Sequence, residues 1–309
     1  MMTVPRQAVH VDSPTERRNP RTTDLDQLST LDLLRSINAE DRLVPDAVAA
    51  ALPALAAAVD FAVDALRNGG RVHYVGAGTS GRLATVDAAE LLPTYNAPPG
   101  WFVVHHAGGA VALQTAVEDA EDQDEAGAAE LAASASPGDF VLGLTASGRT
   151  PYVLGALRAA RERGARTGLV FSNPHATGLL DIDVLIEVDT GPEVVAGSTR
   201  MKAGTAQKLV LTSFSTAVMV KLGRTYSNLM VSMRATNAKL RGRTLRILRE
   251  ATGVPQQECA RALDEAHGDL KVALVHLLSG ADTEQAATAL TVADGHVRQA
   301  LAALGATAL

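Results

Sequence analysis

The sequence lacks several features that would assign it to common classes of protein. It has one cysteine in 309 residues, Cys259, which excludes an intrachain disulfide framework and a cysteine-based zinc site. Its apolar runs are short. The longest covers residues 47–59, contains Pro53 and falls below the roughly 18 residues that a membrane span needs. We therefore expect no membrane-spanning segment.

The chain also lacks an excess of positive charge. Lys and Arg total 28 against 34 Asp and Glu, which gives a net charge of −6 and disfavours nucleic acid or an anionic membrane as a partner. The first 18 residues contain no apolar core of signal-peptide length. We expect a cytoplasmic protein of one large domain or two smaller ones.

The first part of the chain is polar and then helical. Residues 1–22 are rich in proline and arginine and predict a flexible tail, with an arm that closes over an anionic ligand or a partner subunit as the alternative. Residues 23–69 predict N-terminal helices. Apolar residues spaced by three over 24–38 indicate an amphipathic helix, and a second helical stretch over 45–68 ends at a Gly-Gly stop.

Strands and helices alternate over residues 70–225. Short β-rich runs separated by helical segments predict an α/β fold, a doubly wound five-stranded parallel sheet covered on both faces. The predicted strands are 71–76, 101–106, 140–145, 167–172 and 184–189, and the predicted helices are 80–91, 109–121 with a continuation to 133, 150–164 and 201–222.

Residues 226–309 form a helical region in this interpretation. A long helix is predicted over 226–250, and breaks at Gly, Pro and Asp predict a small bundle of three helices over 251–309. The bundle looks like a ubiquitin-associated-type module. It is interpreted as a packing cap or dimer prop, or alternatively as an interaction module, and ubiquitin is not predicted as a partner.

The loops that follow the predicted strands contain the unusual residues. In parallel sheets, ligands bind beyond the carboxyl ends of the strands, and each of the five strands is followed there by a loop rich in Gly, Ser or Thr. The loop at 76–82, GAGTSGR, leads from strand to helix and presents backbone N–H groups to an anion. The loop at 146–150, ASGRT, repeats Ser-Gly-Arg. Together the two turns favour a phosphate and a sugar ring.

Two nucleotide-binding interpretations fail on missing residues. Gly76, Gly78 and Gly81 match G-x-G-x-x-G, but the second strand is followed by no carboxylate for the ribose hydroxyl of a dinucleotide cofactor. A P-loop requires Lys and Ser or Thr where Arg82 and Leu83 stand. A sugar phosphate or a similar small anion remains.

The candidate acid–base residues are carboxylates. Glu90 lies near the end of the helix that the glycine loop opens, and Glu118 and Glu121 are three residues apart in an acidic segment. A solvated surface carboxylate is the alternative for each, and the residues alone do not select one glutamate of the acidic segment. The adjacent pair His105 and His106 is no metal signature, so we predict no metal.

Polar side chains of the loops are candidates for contacts with phosphate and sugar. Each hydroxyl has a second potential role as a helix N-cap, and Lys239 is a further candidate whose alternative is a solvated lysine. The predicted substrate-binding residues are Thr79, Ser80, Ser147, Thr150, Ser198, Thr199 and Lys202.

Several segments together resemble the N-acetylmuramic acid 6-phosphate etherases, a family with a sugar-isomerase (SIS) domain that is related to the animal glucokinase regulatory protein. The segments are DLDQLST, VGAGTSGRLATVDAAELLPTY, AVEDAED, ASGRTPYV, GSTRMKAGTAQK and NLMVSMRATNAKL. A GTSGR loop alone would be weak, but this combination is specific and covers nearly the whole chain.

The resemblance implies an enzyme that cleaves the ether bond between D-lactate and C3 of a phosphorylated amino sugar, without a cofactor. Its products would be N-acetylglucosamine 6-phosphate and D-lactate. The family's catalytic glutamates map to Glu90, as the proton donor to lactate, and to Glu121, as the base at C2, with Glu118 in a supporting role. SIS domains commonly pair, so a homodimer is implied, with partner residues that complete the site.

A second class of function stays open. A non-catalytic sugar-phosphate sensor, or a sugar-phosphate isomerase of the same fold, would use the same phosphate loops. The glutamate pair discriminates them, because a sensor does not need both carboxylates.

Overall fold

The structure is a computed structural model that describes residues 12–179, 181–235 and 237–306. Its first helices are α1 (Thr30–Asp41), α2 (Val44–Ala50) and α3 (Leu52–Arg67). The helix predicted over 24–38 begins later, because the Ser29 side chain caps α1 by accepting a hydrogen bond from the amide of Asp32. The helix predicted over 45–68 breaks at Ala51, since Pro53 starts a new first turn.

Five parallel strands form the central sheet in the order β2-β1-β3-β4-β5. They are β1 (Val72–Gly76), β2 (Phe102–His106), β3 (Phe140–Leu144), β4 (Arg166–Phe171) and β5 (Val184–Glu187). Gly76 pairs in register with His106 on one side and with Leu144 on the other, so three strands end level. The predicted five-stranded parallel sheet is confirmed.

Helices cover both faces of the sheet, as predicted for a doubly wound fold. They are α4 (Gly78–Tyr95), α5 (Asp124–Ser134), α6 (Pro151–Glu162) and α7 (Lys202–Lys221). Helices α3, α4 and α7 pack on one face, and α5 and α6 on the other. Ring contacts of 6.0–6.1 Å join Phe214 of α7 to Phe140 and Tyr74. All three side chains are fully buried, and truncation of Phe214 to alanine would cost about 3–5 kcal/mol.

The helix predicted over 109–121 with a continuation to 133 is wrong in its first part. A 3-10 turn at Gly109–Leu113 is followed by an irregular loop, a second 3-10 turn at Ala120–Asp122, and only then α5. Asp119 has a left-handed backbone with φ +65°, which a helix interior does not permit. The acidic side chains around it would also repel one another at helical spacing.

The C-terminal region contains α8 (Ala238–Thr252), α9 (Gln256–Glu265), α10 (Leu270–Ser279), α11 (Thr283–Val292) and α12 (Val297–Ala303). The helix predicted from residue 226 is wrong in its first part, because α8 begins only where the Asn237 side chain accepts from the amide of Leu240. The last four helices, where three were predicted, pack with α8 around a core of their own, in which Cys259 and Leu274 are fully buried.

Across the described ranges, no single helix is both long and apolar enough to cross a membrane. Thr30–Ala50 and Leu52–Arg67 meet that test only as a pair, with a bend of 61° between them. The apolar side of α3 belongs to the core under the sheet, which accounts for its composition.

Candidate functional site

A cavity of about 440 Å³ opens at the carboxyl edge of the sheet, between β1 and β3. The helix after β1 packs on one face of the sheet and the helix after β3 on the other. In a sheet of order 2-1-3-4-5, this divergence creates a crevice at which ligands bind. We call it the catalytic cavity, after the role that is proposed for it below. It contains residues from the β1–α4 loop, the β3–α6 loop, the acidic segment and the N-terminal segment.

The glycine loop forms one wall of the catalytic cavity. Helix α4 begins directly after β1, and Thr79 and Ser80 of its first turn line the cavity. A Cβ atom on Gly76 would lie 2.7 Å from the amide nitrogen of Gly81, and one on Gly81 would lie 2.0 Å from the ring of His106. These contacts leave no room for larger residues, so the glycines are required for close packing of loop, helix and β2.

Hydroxyl groups of the β3–α6 loop form a cluster in the same cavity. Thr145 Oγ1 lies 2.7 Å from Thr150 Oγ1 and 3.2 Å from Ser147 Oγ. Thr150 occupies the N-cap position of α6, but its side chain makes no cap hydrogen bond. The hydroxyls therefore face one another at a helix N-terminus, an arrangement that suits a phosphate group.

Several cavity residues were not among the predicted site residues, and Arg149 and Asn173 are two of them. Arg149 is the one Lys or Arg that lines the catalytic cavity within the described ranges, and its guanidinium donates to the carbonyl of His175 at 3.2 Å. Asn173 is fully buried and donates to the carbonyl of Ser147 at 3.0 Å. The repeated Ser-Gly-Arg signal includes Arg149, whereas nothing in the sequence indicated that Asn173 supports the neighbouring loop.

Glu121 lies in the catalytic cavity together with Asp122 and Glu16. The 3-10 turn at Ala120–Asp122 presents it, because Ala120 is buried in the core formed with Tyr152. A carboxylate beside such a hydroxyl cluster is positioned for acid–base chemistry on a ligand that binds there. Glu118 is not among the cavity residues.

Glu90 lies outside the catalytic cavity of its own chain. It is exposed on α4, twelve residues after Gly78, which corresponds to about 18 Å along a helix. Val86, one turn earlier on the same face, and Leu92 are 61% and 54% exposed. Of the two predicted catalytic glutamates, Glu121 lines the cavity and Glu90 does not.

The loop before α7 reaches the cavity through one of its three predicted residues. Thr199 lines the cavity, whereas Ser198 and Lys202 do not. The Lys202 side chain is fully buried, and its ammonium donates to Glu40 at 2.9 Å. Arg21 also donates to Glu40, at 2.8 Å, and this hydrogen bond is the main reason that the pKa of Glu40 falls to about 2. Lys202 is thus placed as a structural ion-pair partner.

The second half of the predicted tail packs against the catalytic cavity. Ser13 and Thr15 are buried, and both line the cavity. The Thr15 carbonyl accepts from the amide of Gly197 at 2.9 Å, and the Thr22 hydroxyl donates to the carbonyl of Val194 at 2.9 Å. The contacts of residues 12–22 thus favour the alternative prediction, an arm that lies over the cavity, rather than a flexible tail. Residues 1–11 lie outside the described part of the chain.

A metal site is not visible in the part of the chain that the structure describes. No group of three or more His, Cys, Asp or Glu side chains in it is arranged to hold a metal ion.

Comparisons with known proteins place the chain in a family. A model of the glucokinase regulatory protein N-terminal SIS domain matches residues 54–161. The N-acetylmuramic acid 6-phosphate etherase of Thermobifida fusca (strain YX) is 61% identical over 269 residues, which cover 87% of this chain and 88% of that protein. The same-named protein of Pectobacterium atrosepticum is 50% identical over 287 residues, 93% and 95% of the two chains.

The fold has a matching solved structure. A phosphoheptose isomerase from Francisella tularensis superposes with a TM-score of 0.52 at 22% identity, over 62% of this chain and all of that chain. This likeness confirms the predicted SIS fold. With the sequence relatives, which cover most of both chains, it follows that the chain belongs to the N-acetylmuramic acid 6-phosphate etherase family.

Proposed function

We propose that this protein cleaves the lactyl ether of N-acetylmuramic acid 6-phosphate and releases N-acetylglucosamine 6-phosphate and D-lactate. One observation of the molecule carries the proposal beyond the family name: Glu121 lies in the same cavity as the hydroxyl cluster of Thr145, Ser147 and Thr150. A proton acceptor and a phosphate cradle in one crevice are what this reaction needs.

The phosphate is proposed to bind at the N-terminus of α6. The hydroxyls of Ser147 and Thr150 and the guanidinium of Arg149 would donate to its oxygens, because a phosphate dianion accepts strongly from such groups. On the other wall, Thr79 and Ser80 would contact the sugar. The N-terminal arm brings Glu16 to the same cavity, where its carboxylate is available to accept from sugar hydroxyls.

The proposed reaction proceeds by elimination and then addition of water. In the open-chain sugar, the C2 proton is acidic because it is α to the C1 aldehyde. Glu121 takes this proton, the C3–O bond breaks, and Glu90 protonates the departing lactate oxygen. Water then adds at C3 of the unsaturated aldehyde, activated by the deprotonated donor, and Glu121, after its proton has exchanged with solvent, protonates C2. Each acid or base of this kind contributes about 10²–10⁴-fold to the rate.

The position of Glu90 favours a homodimer in which each catalytic site combines two chains. Glu90 is not among the residues that line its own cavity, and exposed apolar residues, Val86 and Leu92, lie beside it. Val111 and Val117, in the segment after β2, are 68% and 40% exposed. A second copy that covered these apolar side chains would remove them from water and would bring its cavity to Glu90. A cytoplasmic location remains a prediction from the sequence.

The proposed function is tested by incubation with N-acetylmuramic acid 6-phosphate in D₂O. We expect lactate to be released and one deuterium to appear at C2 of the product, since C2 loses and regains a proton. Glu121→Gln should abolish both. Glu125→Gln, a change of a 93% exposed carboxylate in the same segment, should leave both unchanged. Tight binding of the sugar phosphate without lactate release would instead indicate the sensor.

A further inference from the structure

A second cavity, of about 410 Å³, lies between the sheet domain and the C-terminal helices. We call it the seam cavity. Asn96 and Arg224 line it from the sheet side, and Arg241 and Lys271 line it from the bundle side. Residues 231–235 also line it and belong to the connecting segment, by which we mean the chain after Arg224 and before α8. None of its lining residues lines the catalytic cavity, so it is a separate site.

The seam cavity is cationic although the whole chain carries a net charge of −6. Four Lys or Arg residues line it, against two Asp residues. Both carboxylates already have partners: Asp264 pairs with Arg241 at 2.9 Å, and Asp269 caps α10 by accepting from two backbone amides. Three cationic side chains are left without a carboxylate from within the cavity, and they are Arg224, Arg234 and Lys271.

Arg224 and Lys271 are partly buried, on opposite sides of the seam. The Arg224 guanidinium stacks on Trp101 at 4.9 Å and donates to the carbonyl of Asn96 at 3.4 Å. The Lys271 ammonium donates to the carbonyl of Gly295 at 2.8 Å. Among the ranges that the structure describes, no carboxylate lies within 4 Å of either cation. Burial lowers the pKa of both, that of Lys271 to about 8, and the neighbouring Arg224 adds to the shift of Lys271.

Two desolvated cations that repel one another destabilise the folded chain unless an anion joins them. A third cavity, of about 320 Å³, touches the same pair from the other side and is lined by Arg67 and Asp294 as well. Asp269 and Asp294 raise the pKa of Lys271, and Asp294 also raises that of Arg224, but within the described ranges neither carboxylate approaches these cations to ion-pair distance. The pair therefore stands between two cavities without a carboxylate partner from either.

We propose that the seam cavity binds a phosphoryl dianion, as free phosphate or as the phosphate of a small phosphorylated metabolite, between Arg224 and Lys271. A guanidinium fork and an ammonium group are both strong donors to phosphate oxygens. The cavity volume falls within the range of small-molecule sites. Because Arg224 precedes the connecting segment and Lys271 belongs to α10, the bound anion fastens the bundle to the sheet domain.

The test uses the full-length chain with inorganic phosphate as the probe. Ser147→Ala is present throughout to weaken binding in the catalytic cavity. Phosphate at about ten times its Kd is expected to raise Tm by about 2–4 °C above chloride of equal ionic strength. Lys271→Met should remove this phosphate-dependent rise. In chloride, Lys271→Met should change Tm little, because the loss of the hydrogen bond to Gly295 and the relief of repulsion from Arg224 have opposite effects on stability. Lys221→Met, a change of an exposed lysine, should keep the full rise.

An equal phosphate-dependent rise in Lys271→Met and in the control would overturn the proposal. A measurement without seam variants is hydrogen exchange of the Ser147→Ala chain with and without phosphate. We expect slower exchange in residues 265–271, and unchanged exchange there would also contradict a seam site. Replacement of phosphate by N-acetylglucosamine 6-phosphate separates the sources when the Kd is taken from the part of the Tm rise that Lys271→Met removes: a lower Kd identifies a phosphorylated metabolite, and an equal or higher Kd identifies free phosphate.

Discussion

The ammonium group of Lys202 lies 2.9 Å from a carboxylate oxygen of Glu40, and both side chains are buried. Lys202 starts α7, and Glu40 lies near the end of α1. Arg21, from the N-terminal arm, binds the same carboxylate. One buried carboxylate therefore ties three parts of the chain together next to the catalytic cavity.

Glu40→Gln is expected to destabilise the protein by about 3–5 kcal/mol, because it leaves the Lys202 charge buried without its partner. Lys202→Met should also destabilise, and the double variant should lose less than the sum of both. Urea unfolding measures all three. Lys202→Met that still folds should keep the wild-type KM. A large rise in KM with unchanged stability would mean that Lys202 contacts the substrate after all.

The same carboxylate gives a pH dependence. The hydrogen bond from Arg21 is the largest cause that lowers the pKa of Glu40, from 4.5 to about 2. The folded state therefore holds the ionised form more strongly than the unfolded state does. This contribution to stability is complete above pH 4.5 and is lost as pH falls towards 2. Glu40→Gln should flatten the acid limb of the stability curve over that window.

Glu90 and Glu121 are expected to complement each other between subunits. In the proposed homodimer, Glu90→Gln and Glu121→Gln should each be inactive, because each would lack one of the two proposed proton-transfer groups. If each site combines Glu90 of one chain with Glu121 of the other, a heterodimer of the two variants contains one intact site. Random mixing makes about half of the dimers heterodimers, so activity should return to about a quarter of wild type.

This experiment requires equal amounts of the two variants, unfolded and refolded together, with lactate release as the readout. Each variant refolded alone is the control. Activity that stays at the level of these controls, in mixtures proven to contain heterodimers, would place both glutamates in one chain and contradict the composite site.

Asp87 links α4 to its neighbours through a buried carboxylate. Tyr74 donates to it at 2.9 Å and Ser215 at 3.0 Å. Burial is the largest influence and raises the pKa of Asp87 to about 6. The folded state therefore favours the protonated form, so the stabilisation is present below the unfolded pKa of 3.8 and is lost as pH rises to about 6.

Asp87→Asn should consequently be more favourable at pH 8 than at pH 4. A shift of this size corresponds to about 3 kcal/mol, which sets the expected difference between the effects of the substitution at the two pH values. Urea unfolding at pH 4 and pH 8 measures it. Asp64→Asn, at an exposed position of α3, is the control, and its effect on the free energy of unfolding should be the same at both pH values. The same effect of Asp87→Asn at both pH values would contradict the raised pKa.

The sequence by itself determined the sheet and its active edge. Short apolar runs separated by helical periodicity have few alternative arrangements, because parallel strands with helical crossovers must be covered on both faces. The segment after β2 was predicted incorrectly, since its periodicity resembled a helix while Asp119 adopts a left-handed backbone. The start of α8 was also misjudged, because the periodic pattern gave no sign of the Asn237 cap.

Only the tertiary structure decided which polar residues share a cavity. Glu121 and Thr199 line the cavity that holds the hydroxyl cluster and Lys202 does not, although Thr199 is only three residues before Lys202, which starts α7. The reason is a long-range contact. The Lys202 side chain binds Glu40, which is 162 residues away in the sequence, and local sequence patterns do not reveal such a contact. Glu90 likewise lies outside the cavity lining because it is three turns along α4 from the residues of that helix that line the cavity.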